Sequence, residues 1–118
     1  ILQEHGLMLA VASNKYQLAT EKLIVHYFPT IRFVKVLGQR ESIPVKPDPT
    51  IVNDILKIAH VSKEEVLYVG DSGVDMQTAL NAGVDAVGVT WGFRPRTELE
   101  PLKPLGLIDK AKELLTYI

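Results

Sequence analysis

Apolar residues in this chain fall into short unbroken runs separated by stretches of mixed polarity. Residues 7–12, 32–38, 66–69 and 85–90 are nearly continuous in Leu, Val, Ala, Phe and Tyr and read as strands, the first of them buried on both faces. Helical patterns lie between them. After Lys15, the residues Leu18, Ala19, Leu23, Ile24 and Tyr27 gather on one side of a helix that Pro29 stops. Asp48 is placed to cap a second helix with Pro49 at its first position, and Ile51, Val52, Ile55, Leu56 and Ala59 form its apolar stripe. Residues 76–82 read as a third helix, closed by Gly83. Residues 1–5 read as a helix end stopped by Gly6, 91–104 as a loop rich in Pro and Arg, and 107–115 as a closing helix. Strands that alternate with helices predict one α/β domain over residues 1–118, a parallel sheet with helices on both faces.

The polar residues that interrupt this pattern concentrate at strand ends. Gly70 ends the run 66–69, and Asp71 and Asp75 follow on a turn through Ser72 and Gly73. In an open parallel sheet this is the edge where ligands bind. Two close carboxylates repel unless a proton or cation lies between them, and a hard oxygen-binding cation such as Mg2+ is the natural partner. Capping of the following helix is the plainer reading of both. Two further strand ends reach the same rim. Ser13-Asn14-Lys15 follows the first strand, and Lys46 lies in the loop beyond the second. A hydroxyl, an amide, two cations and two carboxylates on one rim suit a phosphate-plus-metal site.

Composition narrows the classes. A net charge of −1 without a block of one sign argues against binding nucleic acid or a membrane surface through bulk charge. No apolar run is long enough to span a bilayer. Cysteine is absent, which excludes disulfides and thiolate metal sites and suits a cytoplasmic location.

The ordered set of motifs resembles the haloacid dehalogenase-like hydrolases, and within them the phosphoglycolate phosphatase-type group. Ser13-Asn14-Lys15 is similar to the second motif of that family, Val45-Lys46-Pro47-Asp48-Pro49 to its third, and Gly70-Asp71-Ser72 with Asp75 to its fourth. Val89-Thr90-Trp91-Gly92 resembles the loop after its last core strand. The resemblance implies a Rossmann-like core and hydrolysis of a small phosphorylated metabolite with Mg2+ as cofactor. It implies that Ser13 hydrogen-bonds a phosphoryl oxygen, that Asn14 shapes the site, and that Lys46 neutralises charge on the phosphoryl group and the attacking carboxylate. Asp71 is implied as a direct metal ligand. Asp75 is implied as a further ligand, or as the holder of the metal's water or of Lys46.

The chain also departs from that family. Its first motif, an Asp-x-Asp run that supplies the nucleophile and the general acid and base, occurs nowhere in the 118 residues. The cap that sets substrate choice is missing too. In the family the strand carrying that motif lies between the strands that end here at Ser13 and Asp71. The expectation is therefore a C-terminal core segment with a gap between residues 7–12 and 66–70, completed by an N-terminal segment of the same protein and inactive alone.

Three rival readings exist. A serine hydrolase is suggested only by Gly70-Asp71-Ser72-Gly73, and His5, His26 and His60 lie far in sequence from any motif. In a phospho-acceptor signalling domain the lysine follows the carboxylates, whereas Lys46 precedes them. A non-catalytic α/β binding module that lost its nucleophile remains open, as do pyrophosphatase and phosphosugar mutase relatives. Trp91, Phe93, Arg94 and Arg96 are expected near the rim, as contacts to cap or substrate or as an aromatic plug with solvated arginines. Tyr16, Tyr27 and Tyr68 read as packing residues.

Overall fold

The computed structural model describes residues 2–92, 96–102 and 104–117; Phe93 and Arg94 lie outside them. Five strands form two parallel sheets. β1 (Leu9–Tyr16) pairs with β2 (Phe33–Gln39), and β4 (Asp85–Val89) lies between β3 (Leu67–Gly70) and β5 (Gly106–Ile108). Among the described residues no ladder joins β1 to β3. The gap expected between these strands is present.

Helices cover both faces of the β1–β2 sheet. Successive strand residues point to opposite faces. Leu37 packs with Ile51, Val52 and Leu56 of α2 (Thr50–Ala59), whereas Gly38 lies against Gln17 and Thr20 of α1 (Gln17–Tyr27). A side chain on Gly38 would overlap both Thr20 and the backbone at Gln17 and Lys15, so the close approach of α1 requires glycine here. In the other sheet, α3 (Gly73–Ala82) buries Met76, Ala79 and Ala82 in a core shared with Ala86 and with α2. Val87, Val89 and Ile108 face the other way and pack against Leu67 and Leu114.

Four expectations need correction. α1 does not bury the side that Leu18, Leu23 and Tyr27 share; these are exposed, and the buried residue is Thr20. Polar anchoring sets this orientation. Gln17 donates to the Val36 carbonyl at 2.9 Å and accepts from the Gly38 amide at 2.6 Å, while the Thr20 hydroxyl donates back to the turn before it. β1 is not buried on both faces either, since Leu7 and Met8 are exposed and no residue of the strand is fully buried. A strand with one paired neighbour has less to shelter it. The segment 107–115 is helical only in its second part. It begins in β5, whose ladder with β4 claims Leu107 and Ile108, and continues as a 3-10 helix from Ala111 to Tyr117. The segment 91–104 is likewise no plain loop, since it carries a short helix, α4 (Arg96–Leu99), with Leu99 fully buried.

α2 matches its predicted stripe, with Ile51, Val52 and Leu56 buried. It starts one residue later than expected, with Pro49 at the N-cap position, and the Asp48 carboxylate before it accepts from the Thr50 amide at 2.9 Å. The short segment at residues 3–5 is a 3-10 turn ended by Gly6 at φ +78°.

Candidate active site

The site assembles where the C-terminal ends of β1, β2 and β3 converge. β1 and β2 lose register between Ala12 and Tyr16, so Ser13-Asn14-Lys15 forms an irregular stretch at the end of the ladder. Such irregularities re-aim side chains next to active sites. The Ser13 hydroxyl accepts from the Lys15 amide at 3.0 Å. It does not cap α1, whose N-cap position is Tyr16. As an acceptor in that turn, the hydroxyl keeps its proton for another partner. The Lys15 side chain is exposed.

Asn14 holds the loop that carries Lys46. Its amide nitrogen donates to the Lys46 carbonyl at 3.2 Å, and its oxygen accepts from the Lys46 amide at 2.9 Å. This two-point grip joins the end of β1 to the loop after β2. The Lys46 ammonium then reaches inward, donating to the Ala12 carbonyl at 3.2 Å and to Asp75 Oδ1 at 2.6 Å. Side-chain exposure at the pair is only 10% for Lys46 and 12% for Asp75, so the ion pair is largely desolvated. Breaking such a pair strands a buried charge.

Asp75 sits in the first turn of α3, where Ser72 is the N-cap and its hydroxyl accepts from the Asp75 amide at 3.1 Å. Its carboxylate is fully engaged. Oδ1 also accepts from the Tyr68 hydroxyl at 3.2 Å, and Oδ2 accepts from the Asp71 amide at 3.1 Å. Burial alone would raise its pKa, but Lys46, the Asp71 amide and Tyr68 together hold it below the usual carboxylate value. Asp71 behaves oppositely. Burial and the negative charge of Asp75 push it up, against the weaker pull of Lys46. The two carboxylates therefore divide their roles: Asp75 braces the lysine, and Asp71 carries the unneutralised charge.

Two oxygen-donor carboxylates suit Mg2+, which keeps several waters and takes one or two protein carboxylates plus substrate oxygens. Among the described residues no cluster of three or more His, Cys, Asp or Glu exists, so a protein cage of the zinc type is not on offer. Of the two carboxylates, Asp75 is the one paired with Lys46, while burial and the charge of Asp75 raise the pKa of Asp71.

The family profile described as haloacid dehalogenase-like hydrolase matches residues 1–89. The chain belongs to the haloacid dehalogenase-like hydrolases. A phosphoglycolate phosphatase from Mesorhizobium japonicum is 34% identical over 109 residues, covering 91% of this chain and 48% of that protein. A candidate pyrophosphatase from Caldanaerobacter subterraneus is 31% identical over 99% of this chain and 53% of its own length. The solved structure of a candidate phosphoglycolate phosphatase from Lactobacillus delbrueckii subsp. bulgaricus superposes with a TM-score of 0.91 at 35% identity, over 99% of this chain and 48% of that one. The chain spans about half the length of the relatives it matches.

Within this haloacid dehalogenase-like core the structure brings Asn14, Lys46, Asp71 and Asp75 together, with Ser13 adjoining Asn14. Two neighbours escaped the sequence reading. Tyr68 donates to Asp75 rather than merely packing, and burial with the adjacent negative charges of Asp75 and Asp71 raises its pKa strongly. Its signal was the spacing to Gly70, because residues two apart on a strand share a face and Gly70 lies directly against Asp75. Gly92 lies against Asp71 in the same way, and a Cβ there would overlap the Asp71 carboxylate. Trp91 is 54% exposed and does not itself plug the sheet edge, and Arg96 pairs with Asp109 at 3.1 Å. His5, His26 and His60 are all exposed and make no hydrogen bond to the site residues.

Proposed function

We propose that this chain is the C-terminal part of the catalytic core of a Mg2+-dependent phosphatase that hydrolyses a small phosphate monoester, phosphoglycolate being the favoured class. The observation that carries the reading is the Lys46 ammonium, held between the Ala12 carbonyl and Asp75 across two sheets that no ladder joins. A cation fixed there neutralises an anionic phosphoryl group and an approaching carboxylate at once. Ser13 donates its free hydroxyl proton to a phosphoryl oxygen, and Asn14 fixes the backbone of Lys46. Asp71 is the residue to hold Mg2+, with Asp75 bracing the turn; when bound, the ion supplies charge neutralisation for the phosphoryl oxygens. The nucleophile, an Asp of an Asp-x-Asp run that becomes an aspartyl-phosphate, comes from another segment of the longer protein, whose strand fills the gap between β1 and β3. The 118 residues alone are inactive, and the assembled enzyme is cytoplasmic.

The test compares the 118-residue chain with the longer protein that carries it, on a panel containing phosphoglycolate, pyrophosphate and phosphosugars, with and without Mg2+. Expected is turnover by the longer protein only, dependent on Mg2+ and lost in Lys46→Met. Turnover by the short chain would overturn the role given to the missing segment. Binding without turnover by the longer protein would favour the binding module, and preference for pyrophosphate or a phosphosugar would move the assignment to those relatives.

A further inference from the structure

Two residues that follow β4 meet the acidic turn. Gly92 lies against the Asp71 carboxylate. Two positions after Asp71, the Gly73 amide, at the first position of α3, donates to Glu98 Oε2 at 2.7 Å. That amide is one of the orphan donors of a helix N-terminus, and a carboxylate there is also favoured by the helix dipole. Ser72 ties the same turn from within by accepting from the Asp75 amide. The turn from Asp71 into α3 is thus closed by two local bonds, this one and the Asp71 amide to Asp75 Oδ2, and by one from a residue 25 positions further along the chain.

Glu98 is not placed there by chance of the surface. The adjoining Leu99 is fully buried and touches the space beside Gly88 of β4, which fixes the short helix α4 against the core. Arg96, at its other end, pairs with Asp109 after β5. Glu98 Cγ lies 3.1 Å from where a Gly73 side chain would begin, so α4 and the start of α3 are in close contact. Among the described residues Glu98 forms no three-membered donor cluster with Asp71 and Asp75.

We propose that Glu98 is a positioning residue for Asp71: by clamping the Gly73 amide it fixes the acidic turn, and with it the direction in which the Asp71 carboxylate faces a divalent cation. The proposal rests on the reading of Asp71 as the metal-holding carboxylate. It makes α4 part of the site rather than a surface connection.

The test uses Glu98→Ala and Glu98→Gln in the whole protein that carries this chain, with Mn2+ as the probe ion and amide hydrogen exchange as a second readout. Loss of a partner that orients a ligand typically weakens metal binding about tenfold or more. Glu98→Ala is expected to raise the Mn2+ dissociation constant about tenfold and to speed exchange at Asp71 and Gly73, leaving Val87 in β4 unchanged. Glu98→Gln keeps an acceptor oxygen and is expected to restore both readouts to within about twofold of the unsubstituted protein. Unchanged Mn2+ affinity in Glu98→Ala overturns the proposal. So does faster exchange at Val87 together with Asp71, which would mark a general loss of stability. If the unsubstituted protein binds no Mn2+, the metal reading of Asp71 fails, and the clamp stands or falls on exchange at Asp71 and Gly73.

Discussion

α1 and α3 each follow a strand that ends in site residues, yet they are buried very differently. α3 sinks Met76, Thr78, Ala79 and Ala82 into the core and carries Asp75 with them. α1 buries Thr20, while Leu18, Val25 and Tyr27 are each more than 60% exposed. The sheets beneath them account for this. β4 has a neighbour on each side and is buried from Ala86 to Val89, whereas among the described residues β1 is paired only with β2. The acidic half of the site thus rests on a better buried sheet than the half that supplies Ser13 and Asn14. The two halves share the apolar core between α2 and α3, and a polar link joins them at the site. Lys46, gripped by Asn14, reaches across to Asp75. Under the proposed function, the strand and further segments of the longer protein cover the apolar side of β1 and α1.

Cutting that link is expected to have the largest effect. Lys46→Met leaves Asp75 buried without its cation and should lower stability by about 3–5 kcal/mol in urea unfolding. A loss below about 1 kcal/mol would mean that the two halves are joined mainly by the apolar contacts of α2 with α3. Next is Met76→Ala, which empties a fully buried position of α3 and should cost roughly 2–5 kcal/mol by the same measurement.

Acid acts on the same region with two opposed contributions. The Asp75 pKa is lowered in the folded chain, so its stabilisation is full above the ordinary carboxylate value and is lost as pH falls through the lowered one. The Asp71 pKa is raised, so its ionised form opposes folding, and that penalty is relieved as pH falls through the raised value. Acidification from neutrality should therefore raise the urea midpoint slightly before lowering it. Asp71→Asn should abolish the early rise and keep the later fall. The smallest effect is expected on the open side, where Val25→Lys should shift stability by no more than about 0.5 kcal/mol. A large loss there would show that α1 is covered by a second copy of the chain, which dilution would reveal.

The legible parts of the sequence were those where one local rule decides the outcome. The α2 stripe, the glycine that closes α3 and the acidic turn after β3 each follow from periodicity or turn chemistry within about ten residues. That Asp71 and Asp75 lie together was also readable, but not which of them receives the lysine. That depends on Lys46 choosing Asp75, a contact over 29 positions. Tyr68 packs against the core as expected, but its bond to Asp75 was not legible, because a tyrosine in an apolar run carries no mark of where its hydroxyl points. The first part of residues 107–115 was misread because their apolar spacing suits a helix, while an open edge of β4 was available to claim Leu107 and Ile108 as a strand.

What the sequence by itself determined is the alternation of strands and helices, the delivery of polar residues to strand ends, and the absence of an Asp-x-Asp run. These are matters of composition and spacing. Tertiary structure alone decided which side of α1 faces the sheet, which carboxylate receives the lysine, and that Glu98 reaches the start of α3. Each of these joins residues far apart in the chain. Burial and charge determine such contacts, and both are properties of the folded surroundings rather than of any one segment.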